Sequence, residues 1–333
     1  MNTSNKDIVY YCGNARVHWN PNMKDIRGSE QAVKFLSVEW VKMGCSVTVY
    51  GNVDECTYKG VKYFPYDKFD NTKTYDNVIL WRDAGIMEIQ NIKANNILID
   101  MHDFLDRQFL KPEIFKKANK IMFKSQYHRD HYYNVTDDIC VVIPNGIKNN
   151  LFLPAGIHNE ARKPLRFSFT SDYNRGLLQV LRLWKTMIQQ FPAAELHIYT
   201  GFDLVNEQLR KEIELLLVQK NIIEHGRVDE KQLVKERYRS TYLLYPCPHV
   251  LIETDCITVR ECARAGCIPI VFNQGVMKER SIVRINGDPD TDAGYSNVLQ
   301  AITDIHSNQM LKAKIQNDLV TAKDIDWNDV ASR

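Results

Sequence analysis

The sequence contains no Gly-x-Gly-x-x-Gly stretch and no P-loop lysine, which disfavours dinucleotide redox chemistry and nucleoside triphosphate hydrolysis. No run approaches the roughly 18 apolar residues that a membrane-spanning helix needs. The polar opening MNTSNKDIVYYCG holds no long apolar segment of the secretory kind. No two cysteines are spaced C-x-x-C, which argues against a zinc site. The eight cysteines (Cys12, Cys45, Cys56, Cys140, Cys247, Cys256, Cys262 and Cys267) lie mostly in or beside apolar stretches, as reduced thiols of a cytoplasmic protein do. Charge of one sign is also missing: 43 Lys and Arg against 41 Asp and Glu leave a formal net charge of +2, and no basic tail stands out. That balance by itself argues neither for nor against nucleic acid, and no nucleic-acid partner is expected.

What the chain has is repeated strand–helix alternation, over a length of 333 residues that suits two α/β domains of ordinary size. Residues 7–12 read as a strand, a polar loop runs to Arg27, and Gly28 opens a helix. Ala32, Val33, Leu36, Trp40, Val41 and Met43 recur there at helical spacing before Gly44 ends it. SVTVYG follows, which makes a parallel βαβ unit. NVILW (77–81, then Arg82) and NILID (96–100, then Met101, His102 and Asp103) read as buried strands. Ligands of open α/β sheets collect at the carboxyl ends of strands, so Arg82 and His102 are expected at a cleft. The stretch 111–133 reads as helix-rich and basic, and 139–143 as the last strand of this half. Pro144-Asn145-Gly146-Ile147 supplies turn chemistry, and residues 148–164 read as a linker. Strands at 166–170, ELHIYTG, NIIEHGRV, TYLLYP, IPIVF and 282–285, with helices between them, then predict a second parallel sheet.

The stretch LYPCPHVLIETDCITVRECARAGCIPIV (244–271) reads as strand, loop, short helix and strand. Glu253 and Glu261 would point roughly 80° apart on one continuous helix. They make sense if Glu253 sits in the loop and Glu261 one to two turns into the helix, both facing one ligand. Asp255 is an N-cap candidate, and the amides of Cys256, Ile257 and Thr258 would be free donors able to bind a phosphate. A carboxylate on either side of a phosphate suits a sugar nucleotide, because sugar and ribose both offer hydroxyl donors. The plainer alternative is a surface helix with two solvated acids. Similarly, the amides of Gly28 and Ser29 read either as a diphosphate contact or as a simple glycine-started helix.

The Glu-x7-Glu pair, with the small residues Ala263 to Gly266 and IPIV after it, resembles the donor-binding signature of family 4 retaining glycosyltransferases. That resemblance implies α/β class and the GT-B fold, two Rossmann-like domains facing each other across a cleft. Their bounds would be 1–150 on the acceptor side and 151–315 on the nucleotide-sugar side, with a C-terminal helix (316–333) crossing back to the first domain. Gly28-Ser29-Glu30 is similar to the family's Gly-Gly-(Ser/Ala)-Glu helix opening, although Arg27 stands where the first glycine is usual. His102-Asp103 falls where the family has a strand-end histidine beside the transferred sugar, and Pro-Asn-Gly-Ile at 144–147 also fits. Thr170-Ser171 followed by Arg175-Gly176-Leu177 resembles a branch whose arginine holds the donor phosphates; Thr170 replaces a second arginine. By the same resemblance His225-Gly226-Arg227-Val228 lies near the nucleobase, with contacts largely through backbone.

The implied roles are Arg175 and the Cys256–Thr258 turn on the leaving diphosphate, Glu261 on ribose, Glu253 on the sugar and His102 beside it. Gly28, Ser29, Ser171, Gly226 and Arg227 complete the expected donor site. No metal and no other cofactor is implied. The expected reaction moves a hexose-type sugar from a nucleotide diphosphate sugar to a hydroxyl of a glycan, a lipid-linked or another acceptor. A sugar-nucleotide epimerase on this architecture, or a non-catalytic sugar-nucleotide-binding protein, are the alternatives. The loop 14–27, with Arg16, His18 and Trp19, is the acceptor-facing candidate, although a tryptophan there can equally cover the core. Lys116, Lys117, Lys120 and Lys124 form either a solvated face or a peripheral contact with the inner face of an acidic membrane. Asp288-Pro289-Asp290 has Asp-x-Asp form but reads as a surface turn.

Overall fold

The computed structural model describes residues 7–15, 17–23, 26–105, 115–133, 135–152, 161–202, 205–248, 253–322 and 324–333. It divides into two compact units, Met1–Gly146 with Ile325–Arg333, and Ile147–Asp324.

The first unit is built on β1 (Asp7–Tyr11), β2 (Ser46–Gly51), β3 (Cys56–Tyr58), β4 (Val61–Pro65), β5 (Thr74–Trp81), β6 (Lys93–Asp100), β7 (Lys120–Phe123) and β8 (Cys140–Val142). Their order is β3-β4-β2-β1-β5-β6-β7-β8. All neighbours are parallel except the β3/β4 hairpin. That hairpin turns at Lys59 and Gly60, both in the left-handed region (φ 48° and 85°). β5 is apolar at its carboxyl half because a parallel interior strand is covered on both faces; Val78, Ile79, Leu80 and Trp81 are all buried.

The stretch read as helical at 111–133 holds a strand instead. Ile121, Met122 and Phe123 form the buried run of β7, and only Gln126–Asp130 is helical after it, capped by Ser125 Oγ accepting from the His128 amide. Residues 106–114 lie outside the described residues. Trp19 is core: it is 2% exposed and meets Tyr63 edge-on, with centroids 5.8 Å apart. His18 is exposed and sits 3.2 Å from Asp54 Oδ1, while Arg16 is outside the described residues.

The helix Gln309–Thr321 belongs to the second unit, and the chain returns to the first at Ile325. There the short helix Trp327–Ser332, closed by an Asp326/Asp329 capping box, packs on Gly28–Lys42. Trp40 Nε1 donates to Ala331 O at 3.1 Å, and Trp327 meets Phe35 at 5.7 Å. Gly146 is required at this junction, since a Cβ there would come within 2.5 Å of the Trp327 nitrogen.

The second unit carries β9 (Lys163–Phe169), β10 (Glu195–Ile198), β11 (Ile222–Glu224), β12 (Ser240–Tyr245), β13 (Ile268–Phe272) and β14 (Arg284–Ile285), in the order β11-β10-β9-β12-β13-β14. Every neighbouring pair is parallel. The helix Leu177–Gln190 buries Leu177, Val180, Leu181, Trp184 and Met187, a helical stripe that lies on Phe167 and Leu196 of the sheet. Right-handed βαβ crossovers put the strand carboxyl ends and the following loops on one edge of such a sheet, and there the candidate residues collect.

Candidate active site

The loop after β9 is shaped by one glycine. Thr170, Ser171 and Asp172 lead into a single 3-10 turn, Tyr173–Arg175, and Gly176 then adopts φ 109°. A Cβ on Gly176 would lie 2.6 Å from the Pro246 carbonyl oxygen, so the loop passes tightly against the end of β12. That approach sets Arg175 beside residues of the β12 loop: its Nη1 is 3.5 Å from Glu253 Oε1. Tyr245, buried at the carboxyl end of β12, donates its hydroxyl to the same Glu253 oxygen. Ser171 Oγ lies 3.4 Å from Tyr245 Oη. Burial pushes the Tyr245 phenol pKa up, and Cys256 and Glu253 add to it, so the phenol stays a neutral donor. Burial works against the charge of Arg175, but Glu253 outweighs it and holds the guanidinium more firmly protonated than usual.

The helix Ile257–Arg264 starts differently from the sequence expectation. Cys256 occupies the cap position in the left-handed region (φ 57°, ψ 66°), and no side chain caps the first turn. Asp255 does not cap. Its buried carboxylate is held by Arg260 Nη1, 3.1 Å from each oxygen, and by Arg280 Nη2 at 3.0 Å. Two guanidinium partners outcompete neutral amides for a buried carboxylate, because charge-assisted bonds are about twice as strong. Thr258 Oγ1 points back toward β9, 3.4 Å from Thr170 O.

Glu261 lies just over one turn into this helix, with Oε2 2.7 Å from Nη2 of Arg237, a buried side chain of the helix Glu230–Arg239. Neither Glu253 nor Glu261 is a solvated surface acid; their side chains are 18% and 19% exposed, and each faces an arginine. The structure therefore brings Ser171, Arg175 and Glu253 together, with Thr258 and Glu261 on the helix that follows.

At the end of β11, Gly226 is left-handed (φ 65°) with nothing within 4 Å of where a Cβ would stand. Arg227 Nη2 reaches to 3.9 Å from Asp172 Oδ1, and Tyr173 Oη is 3.3 Å from Glu224 Oε2. The 225–227 turn thus adjoins the loop that bears Arg175. His225 stacks on Tyr199 (4.5 Å, 6°), and its Nε2 is 2.8 Å from His197 Nδ1. Burial, with Arg166 nearby, pushes the His197 pKa down to about 4.

In the first unit, Gly28 begins its helix in open space, and Arg27 at the cap position makes no side-chain cap bond. Neither φ nor packing requires glycine there. Glu30 is buried, 3.8 Å from Arg82 Nη1. Arg82, at the end of β5, adopts φ 55° and bonds through Nε to Asp103. His102 is buried, with Nε2 3.0 Å from Asp100 Oδ2. Asp100 also accepts from the Tyr10 hydroxyl and pairs with Lys124. Burial lowers the His102 pKa despite the pull of Asp100, and keeps the ring neutral. Lys124 is only 3% exposed and cannot serve a membrane-facing cluster; Lys116 and Lys117 are exposed.

Sequence reasoning missed Tyr245, Arg237 and the pair Asp100–Lys124. The available signal was a charged residue closing each of two apolar strands, ILID and IMFK. Asp288 and Asp290 form the turn before the helix Asp292–Ser307, with the Asp290 amide donating to Asp288 Oδ1 at 2.9 Å. Among the described residues, no group of three or more His, Cys, Asp or Glu is placed to hold a metal ion. No helix among them is long and apolar enough to cross a membrane.

No family model matches this sequence, and no curated protein matches it. Solved structures do. A sucrose-phosphate synthase from Thermosynechococcus elongatus aligns over 98% of this chain and 96% of its own, with TM-score 0.77 at 14% identity. A glycosyltransferase from Rickettsia africae ESF-5 aligns over 99% and 96%, with TM-score 0.71 at 12% identity. The fold is GT-B. The GT-B architecture also gives the match to Anabaena HepE, solved in complex with UDP and glucose, over 98% and 97% at TM-score 0.71 and 12% identity.

Proposed function

We propose that this GT-B chain is a retaining glycosyltransferase that moves a hexose-type sugar from a nucleotide diphosphate sugar to a hydroxyl of a glycan, lipid-linked or other acceptor. The observation that carries the reading is the Arg175–Glu253–Tyr245 constellation, at the strand ends of a fold whose solved relatives include a complex with UDP and glucose. A guanidinium fixed by a tight glycine turn is suited to a diphosphate, where it can fork two oxygens and stabilise the charge that develops as the phosphate leaves. Glu253 keeps that arginine charged in the free protein, and its carboxylate is the acceptor for sugar hydroxyls when the diphosphate takes the arginine. Glu261 has one oxygen toward Arg237 and one left for a ribose hydroxyl. Ser171, the uncapped turn at Cys256, Ile257 and Thr258, and the Gly226–Arg227 turn complete the donor side.

In the reaction the bond from the anomeric carbon to the β-phosphate oxygen breaks, and the acceptor oxygen bonds to the same face of that carbon through an oxocarbenium-like state. The acceptor proton passes to the departing phosphate oxygen, so neither a covalent enzyme intermediate nor a metal is needed. Incubation with UDP-, GDP-, ADP- and TDP-sugars plus a hydroxylic acceptor, followed by NMR of the product, tests this. Transfer with the donor's anomeric configuration kept supports it; an inverted linkage refutes the retaining assignment. Conversion of the donor sugar without acceptor would make the protein an epimerase.

A further inference from the structure

Two anchors hold Arg175 and Glu253 against each other in the second unit. Gly176 presses its loop onto the Pro246 carbonyl oxygen and fixes where Arg175 leaves the backbone. The buried Tyr245 donates its hydroxyl to Glu253 Oε1 and fixes the carboxylate. That same oxygen lies 3.5 Å from Arg175 Nη1, and the arginine side chain is 33% exposed, so a ligand from solvent can reach it. Among the described residues Glu253 supplies the carboxylate within ion-pair distance of Arg175. Asp172, on the arginine's own loop, faces Arg227 instead at 3.9 Å. Cys247 also bonds to the guanidinium, as a neutral thiol whose pKa burial pushes up to about 12. The cation of the site is therefore matched by a tethered anion before any ligand arrives. A diphosphate that takes Nη1 has to displace that carboxylate, and it then lies beside a like charge that Tyr245 keeps close.

We propose that Glu253 is a built-in competitor for the phosphate seat on Arg175: the ion pair opens when a diphosphate binds and closes when it leaves, which holds down the affinity for the departing nucleoside diphosphate. The inference rests on the reading above that Arg175 receives the diphosphate, and on the ion pair alone for the competition. It requires no contact from the first unit. Its signature is a gain. Damage to a binding site weakens binding, whereas loss of a competitor strengthens it. Glu253→Gln keeps the size of the side chain and an oxygen to accept from Tyr245, but it leaves the guanidinium to the phosphate. Glu253→Ala removes the competitor and offers the phosphate no amide hydrogen in its place.

The test is titration calorimetry of the wild type, Glu253→Gln and Glu253→Ala with UDP, GDP, ADP and TDP. A diphosphate that binds the wild type is expected to bind both variants more tightly, by about fivefold, the upper end for an ion pair open to solvent. Equal or weaker binding by the folded variants overturns the proposal. So does a gain confined to Glu253→Gln, which would come from the new amide donating to the phosphate. Should the variants fail to fold, a structure of the wild type with the bound diphosphate decides. Arg175 Nη1 is expected to have exchanged Glu253 for a phosphate oxygen, and a diphosphate bound with the Arg175–Glu253 pair intact overturns the proposal. If the wild type binds none of the four, the diphosphate reading itself fails and the competition falls with it; binding by the wild type without a gain in the variants sinks the competition alone.

Discussion

Arg237 Nη2 lies 2.7 Å from Glu261 Oε2, and the arginine side chain is 3% exposed against 19% for the glutamate. The glutamate is therefore the counter-ion of a buried guanidinium as well as a candidate ribose ligand. Removing one partner of a buried pair leaves an uncompensated charge, at a cost of about 3–5 kcal/mol. Glu261→Ala should lower the denaturation midpoint clearly, Glu261→Gln much less, and Arg237→Met with Glu261→Ala less than Glu261→Ala alone. Urea unfolding of the three variants checks this, and equal midpoints would show that the pair is not coupled.

Gly176 and Gly28 should respond in opposite ways to alanine. Gly176 has φ 109° and a carbonyl oxygen where its Cβ would go, so Gly176→Ala should cost at least about 1–3 kcal/mol from backbone conformation alone. Arg175 should lose its placement at the same time. Gly28 begins a helix in open space, and Gly28→Ala should leave stability unchanged or raise it by about 0.5 kcal/mol. A drop in donor affinity in a stable Gly28→Ala protein would show that a ligand approaches the backbone there.

Acid should destabilise the protein well before its carboxylates titrate. Burial lowers the pKa of His128 to about 3 and that of His197 to about 4. Unfolded histidine titrates near 6.5. Below that value the unfolded chain takes up protons that the folded chain refuses, so their contribution is fully present above about pH 6.5 and is lost as pH falls toward 4 and then 3. Urea midpoints at pH 7.5, 6 and 5 should fall in that order, and His128→Gln should flatten the fall. A midpoint constant from pH 7.5 to 5 would contradict both shifts.

Asp255 ties the donor loop together through Arg260 and Arg280, and Arg260 Nε also reaches Asp324 Oδ2 at 3.0 Å. Asp255→Ala removes the buried carboxylate that Arg260 and Arg280 share, although Arg260 keeps Asp324 and Arg280 keeps Glu279, and should cost about 3 kcal/mol; an N-cap loss would cost only about 1 kcal/mol. Thermal unfolding distinguishes the two roles by the size of the shift.

Much of the architecture was legible because interior parallel strands are apolar on both faces, so NVILW, NILID and IPIVF stand out from the helices between them. KIMF did not stand out, since three apolar residues between Lys120 and Lys124 carry too little pattern, and the CTYKGVKYFP hairpin was not read from the sequence. At the site, Glu253, Glu261 and Arg175 were visible as charged residues at strand-to-helix junctions. Their partners were not. Tyr245 looked like one more apolar residue of β12, and Arg237 like a helix-surface cation, because what each touches depends on how distant strands and helices align. Asp255 shows the same limit: a local capping rule lost to Arg280, which the fold brings in from 25 residues further along.

The central claim is that a nucleoside diphosphate binds against Arg175. Titration calorimetry of the wild type and Arg175→Ala with UDP, GDP, ADP and TDP tests it most directly. At least one diphosphate should bind the wild type, and Arg175→Ala should weaken that binding by roughly 10- to 100-fold, the range for a lost charge-assisted bond of about 1.5–3 kcal/mol. Binding of none of the four, or equal affinity in a folded Arg175→Ala protein, would contradict the account.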